Sequence, residues 1–157
     1  MGNGHPIAGL AARFELLKEF GRESRYFNTF GGNPVSCAAA AATLDVIERE
    51  ALQANAARIG SYLQAGLRRL ASRYDHIGDV RGDGLFLGVE IVNTRCDRVP
   101  KADLAVRIVN AMRERHVLIS ATGVYGNVLK VRPPLCFSQD NADHLLETAD
   151  EALRTLG

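Results

Sequence analysis

The chain has 157 residues, 46% of them hydrophobic, enough for a core of ordinary domain size. Its 19 basic residues nearly balance 18 acidic ones, for a net charge of +1, and neither a basic stripe for nucleic acid nor an acidic solvating tail is present. No apolar run is long enough to cross a membrane. The first residues lack the charged start and apolar core of a signal peptide, and Cys37, Cys96 and Cys136 are too scattered for a zinc site. Reduced thiols and the absence of a signal give an expectation of a cytoplasmic protein.

In chain order, residues 1–6 read as a glycine-rich loop and residues 7–12 as a short apolar strand. Leu10, Phe14, Leu17 and Phe20 recur at helical spacing and predict a helix that Gly21 ends. A polar loop then leads into Asn28-Thr29-Phe30-Gly31-Gly32-Asn33-Pro34. Asn33 suits an N-cap and Pro34 a first helical position, so a helix is predicted from Pro34 to about Glu50. Its Ala38 to Ala42 run reads as a close-packed face. The two glycines and the Thr29 hydroxyl before that helix could cradle a phosphate, or could form an ordinary turn.

Ile59, Leu63, Leu67, Leu70 and Tyr74 mark the stripe of a long helix over about 52–74. Arg58, Arg68, Arg69 and Arg73 lie on it, but interleaved acids and the balanced charge argue against an RNA surface. Residues 85–92 read as a strand. Leu104, Ile108 and Met112 predict a helix, 117–120 and 128–132 two further strands, and Ser138 the cap of a last helix carrying Ala142, Leu145, Ala149 and Leu153. The order suggests a small α+β layer of three strands covered by helices. On the strand at 128–132, Lys130 and Arg132 are two apart and share a face, so both meet a ligand or both meet solvent.

Four segments in order carry a family resemblance. Thr29-Phe30-Gly31-Gly32-Asn33-Pro34 resembles the phosphate-contacting segment of class-III aminotransferases, which use pyridoxal phosphate (PLP). Met1-Gly2-Asn3-Gly4-His5-Pro6 resembles the stretch after that family's Schiff-base lysine. Val80 to Glu90 resembles the strand that opens its small domain, and Leu129-Lys130-Val131-Arg132-Pro133-Pro134-Leu135 its substrate-facing segment.

The resemblance implies an α/β fold, that of the C-terminal portion of a fold-type I PLP-dependent transferase. Residues 1–75 would be the end of the large PLP-binding domain with a linking helix, and residues 76–157 a small α+β domain. It implies PLP as cofactor, Thr29, Phe30 and Gly31 as cofactor-binding residues, a small-molecule amine as substrate, and a homodimer when intact. No catalytic residue is expected in this chain, because the Schiff-base lysine would precede Met1. His5 is expected to orient its loop, and Arg81 to have a structural role.

Many relatives in the family carry a carboxylate-clamping arginine three residues before the Pro-Pro pair. Here that position is Lys130, and Arg132 stands next to Pro133. This departure resembles the phospho-lyase branch, which acts on phosphorylated amino alcohols, with Lys130 and Arg132 as substrate-binding candidates. Transamination and phosphate elimination both stay open within the resemblance, as an aminotransferase or a related phospho-lyase, and two further alternatives remain: a catalytically inactive remnant, or an unrelated α+β binding module. No metal site is expected.

Overall fold

The computed structural model describes residues 1–156, which group into two compact units, Met1–Ala51 and the residues from Leu52 onward. Among the described residues no helix is long and apolar enough to cross a membrane.

The first unit holds two helices, α1 (Phe14–Glu23) and α2 (Pro34–Arg49). The start of α2 is the predicted one: Asn33 Oδ1 accepts from the Ser36 N–H at 2.9 Å and Pro34 occupies the first turn. Other expectations here are corrected. Residues 7–12 form no strand. A strand needs a partner for its backbone groups, and among the described residues the only pairing nearby is the isolated bridge Gly2↔His5. The helix α1 starts at Phe14 rather than Leu10 and runs through Gly21, closing where Ser24 N–H donates to the Phe20 carbonyl at 2.9 Å. A glycine in the last turn costs only about 1 kcal/mol against alanine, too little to end a helix by itself. Of the alanine run, only Ala40 is buried.

The second unit begins with α3 (Leu52–Arg73), followed by β1 (Ile77–Asp83), β2 (Phe86–Ile91), α4 (Ala102–Glu114), β3 (Ser120–Thr122), β4 (Val128–Val131) and α5 (Gln139–Leu156). The strands form an antiparallel four-stranded sheet in the order β1-β2-β4-β3. One face is packed. Leu87, Val89 and Ile91 of β2 and Leu129 and Val131 of β4 meet Ile59, Leu63, Leu67 and Leu70 of α3, Leu104, Ile108 and Met112 of α4, and Leu145 and Leu153 of α5 in one core. The period of two along β2 leaves Phe86, Gly88 and Glu90 on the opposite, open face.

Four strands stand where three were predicted. The missed one, β1, carries Gly78, Asp79, Gly82 and Asp83, residue types depleted in strands. It is held by its register with β2 and by the turn at Gly84, whose φ of 50° lies in the left-handed region. The strand expected at 117–120 starts only at Ser120. Val117 belongs instead to the end of α4: His116 takes a φ of 65°, and the Val117 N–H closes onto the Met112 carbonyl at 3.0 Å with its side chain buried. Ser138 caps α5 as predicted, its Oγ accepting from the Asn141 N–H at 3.2 Å.

Two tyrosines clasp α3 and its C-terminal end to α5. Tyr62 donates to the Asp143 carboxylate and Tyr74 to Asp150 Oδ1 at 2.6 Å. Each carboxylate favours the protonated phenol, so both tyrosines titrate above the usual 10.0. A raised folded pKa means the contribution is complete below the ordinary phenol value and is lost as pH climbs through the raised one. Thermal melts taken through and beyond pH 10 test this. The wild type should lose stability more steeply on the alkaline side than a Tyr62→Phe/Tyr74→Phe variant, and parallel curves would contradict the assignment.

Candidate functional site

Two groups of residues carry the chemistry singled out in the sequence, one in each unit.

In the first unit, the loop before α2 is wired through asparagine side chains. Asn28 Oδ1 accepts from the backbone N–H groups of Phe30 (3.1 Å) and Gly31 (2.8 Å). Asn33 Nδ2 donates to the Phe30 carbonyl at 2.8 Å and to Ser36 Oγ at 3.0 Å. Gly32 turns the chain with a φ of 71°. Ser36 Oγ also lies 2.8 Å from His5 Nε2. This contact ties the glycine-rich opening segment to the start of α2, and with it His5 orients the loop. Thr29, Phe30 and Gly31 are all exposed.

Thr29 Oγ1 has no hydrogen-bond partner among the described residues, while the two amides are held by Asn28. Their acceptor is a rotatable carboxamide, so a phosphate that displaces it finds one hydroxyl and two N–H donors within three consecutive residues. That set fits an anion. The sequence did not show Asn28 as the group that holds the amides. The signal was a side-chain acceptor two residues before Phe30 and three before Gly31, the spacing of an Asx turn.

In the second unit, the open sheet face gathers the other candidates. Arg81 pairs with Gly88, Gly88 with Lys130, and Lys130 with Ser120, so these four form one row across the sheet. Beside that row lies a groove of about 280 Å³ lined by Arg81, Phe86, Gly88, Thr122, Val128 and Lys130. Arg132 lies just past β4, with its guanidinium carbon 6.0 Å from the centre of the Phe86 ring. Lys130 and Arg132 therefore share the open face, as their spacing predicted. Neither has an ion-pair partner among the described residues.

Arg81 differs. Its Nη1 donates to Asp79 Oδ2 at 2.8 Å and Glu90 Oε2 at 3.0 Å, and Asp79 first, then Glu90, raise its pKa further. Arg81 is thus both a brace between β1 and β2 and one wall of the groove. Phe86, Gly88 and Thr122 were not singled out in the sequence. Only the cross-strand register brings them beside Lys130.

The profile described as Aminotransferase class-III matches residues 1–153. Among curated relatives, the chain is 47% identical over 148 residues to the Drosophila melanogaster "Alanine--glyoxylate aminotransferase 2-like", covering 93% of this chain and 30% of that protein. It is 46% identical over 153 residues to the Arabidopsis thaliana "Alanine--glyoxylate aminotransferase 2 homolog 2, mitochondrial", covering 98% and 32%. It is 40% identical over 154 residues to the Caenorhabditis elegans "Ethanolamine-phosphate phospho-lyase homolog 1", covering 98% and 33%. Among solved structures, a phospholyase from Arthrobacter in complex with phosphoethanolamine superposes with a TM-score of 0.94 at 46% identity, over 100% of this chain and 37% of that one.

The chain belongs to the class-III aminotransferase family, whose members among these relatives include both aminotransferases and a phospho-lyase. Its α/β fold is the one found in the matching part of PLP-dependent aminotransferases and of the phospholyase. It spans about a third of the length of the curated relatives it matches.

Proposed function

We propose that this chain supplies the cofactor-phosphate contacts and the substrate-anion contacts of a PLP-dependent enzyme that eliminates phosphate from a phosphorylated amino alcohol. The single observation that carries this is Lys130. It stands on an open sheet face, beside a groove, without an acidic partner among the described residues, at the position where the family resemblance expects an arginine. An ammonium pairs with a phosphate as a compact point charge, whereas the planar two-pronged fit to a carboxylate belongs to arginine. Arg132, resting on Phe86, adds a second positive charge to the same face.

Thr29, Phe30 and Gly31 are the residues that would hold the cofactor phosphate: the Thr29 hydroxyl directly, and the Phe30 and Gly31 amides once Asn28 turns away. When bound, PLP supplies an electron-accepting ring that stabilises negative charge on the carbon bearing the substrate amine. The chain's own residues bind and orient. None of its lysines is a candidate for the cofactor-bound amine: Lys18 lies in the exposed helix α1, Lys101 precedes α4, and Lys130 serves the substrate. That amine comes from outside residues 1–157 in this reading.

Division at about residue 75 into the end of a large domain and a small domain, assembly as a homodimer, and a cytoplasmic location belong to the same proposal.

The test is turnover by a chimera in which residues 1–157 replace the matching segment of the Arthrobacter phospholyase. Phosphoethanolamine should release phosphate, and alanine with a keto-acid acceptor should transfer its amine poorly. Efficient transfer from alanine with no phosphate release would reverse the substrate reading and make Arg132 the better carboxylate partner.

A further inference from the structure

The glycine at the centre of the sheet has no conformational reason to be there. Gly82 and Gly84 adopt φ values of 124° and 50°, which side chains disfavour, but Gly88 has no positive φ. Packing gives only a partial reason, since the Val128 side chain would have to give by a few tenths of an ångström. A Cβ on Gly88 would stand 3.2 Å from Val128 Cγ1 and 4.0 Å from Arg81 Cγ, both side-chain atoms, and would meet no backbone. Glycine inside a strand weakens it, and where it persists it often marks a place that a ligand approaches closely. Here the bare position is flanked in register by Arg81 on one side and Lys130 on the other. The two flanking strands are about 9.5 Å apart, twice the spacing of neighbours in a sheet.

We propose that Gly88 is a specificity-determining residue: its missing side chain is the floor of the groove on which the phosphate end of the substrate rests, between Lys130 and Arg81. This inference rests on the phospho-lyase reading above and adds to it the location of the anion. Arg81 commits Nη1 to Asp79 and Glu90, which leaves Nη2 and Nε among its donors. Lys130 brings a full charge with no ion-pair partner among the described residues. A tetrahedral phosphoryl group offers three oxygens and can meet both walls at once. The exposed Phe86 ring closes one side of the groove, and Thr122 stands on the edge strand. A side chain at position 88 would occupy the space between the two cations and hold the anion above their reach.

Amide-resolved NMR of the 157-residue chain tests this without turnover. Phosphoethanolamine titrated into the wild type should give saturable shifts at Arg81, Gly88 and Lys130. Gly88→Val should weaken that binding by about tenfold or more, the scale of one lost charge-assisted hydrogen bond, and Lys130→Gln should weaken it comparably. The rest of each spectrum reports whether the variant folds. If Gly88→Val does not fold, Gly88→Ala, whose single methyl meets only the tip of Val128, should show a smaller loss. Absence of saturable shifts around Gly88 in the wild type, or affinity for either folded Gly88 variant within about twofold of wild type, would overturn the inference. The two readings fail separately. Unchanged binding in the Gly88 variants together with phosphate release by the chimera would leave the enzyme reading standing and remove only Gly88.

Discussion

Gly60→Ala should destabilise the second unit by about 3 kcal/mol, the upper range for forcing extra atoms into a packed site. Gly60 is buried in the middle of α3, and it lies against the turn between β1 and β2. A Cβ there would fall inside the van der Waals envelope of the Gly84 carbonyl and its Cα, which are backbone atoms and cannot rotate aside. Gly84 itself is fixed in the left-handed region by the hairpin it closes. Relief therefore requires α3 to lift from the sheet, and α3 carries Ile59, Leu63, Leu67 and Leu70 of the core. Gly21→Ala is the control. Gly21 is also helical, but a Cβ there meets nothing within 4 Å, so the change should be neutral or stabilising by up to about 1 kcal/mol through helix propensity. Urea unfolding of the two variants beside wild type decides it, and equal midpoints would refute the close approach of α3 and the hairpin.

Thr29→Ala should weaken PLP binding by about 1.5–3 kcal/mol, the worth of a hydrogen bond to a charged group. Thr29 is exposed in the loop before α2, and its hydroxyl makes no hydrogen bond to the described residues. Its removal leaves the local wiring intact, since Asn28 and Asn33 hold the turn through the Phe30 and Gly31 amides and the Phe30 carbonyl. The loss should therefore appear in cofactor affinity and not in the helix content of the folded chimera. Asn28→Ala should act through the loop's order, because it frees both amides while removing the acceptor that positions them. Cofactor titration of the chimera and its Thr29→Ala variant measures the difference. Equal affinities would return Thr29 to the role of an ordinary turn residue.

Long periodic elements and capping signals could be read directly from the residues. The α3 stripe, the Asn33-Pro34 start of α2 and the Ser138 cap of α5 each depend on contacts within a few positions, where spacing and side-chain chemistry suffice. Elements that depend on distant partners were not legible. Ile77–Asp83 has the composition of a loop, and becomes a strand because β2 supplies its hydrogen bonds. Residues 7–12 have the composition of a strand and have no such partner. Val117 was misread because burial at a helix end and burial in a strand look alike over a few apolar residues.

The candidate site divides the same way. Lys130 and Arg132 stood out through the family resemblance of the segment before the Pro-Pro pair, and a strand's period of two then places them on one face. Gly88 and Phe86 were not, because their neighbourhood with Lys130 exists only through the antiparallel register of β2 and β4. Thr29 stood out through its motif, whereas the engagement of its neighbouring amides by Asn28 depends on the conformation of the turn.

The most direct test of the account is the ratio of phosphate release to amino transfer in the phospholyase chimera, measured for wild type and Lys130→Arg with phosphoethanolamine and alanine as paired substrates. If Lys130 is the phosphate-selecting cation of the open sheet face, the wild type favours phosphate release. The planar fork of arginine then shifts the ratio toward alanine by about tenfold or more, one charge-assisted contact exchanged for another. A ratio that does not move on Lys130→Arg, in a variant that still binds PLP, would contradict the assignment of Lys130 to the substrate anion.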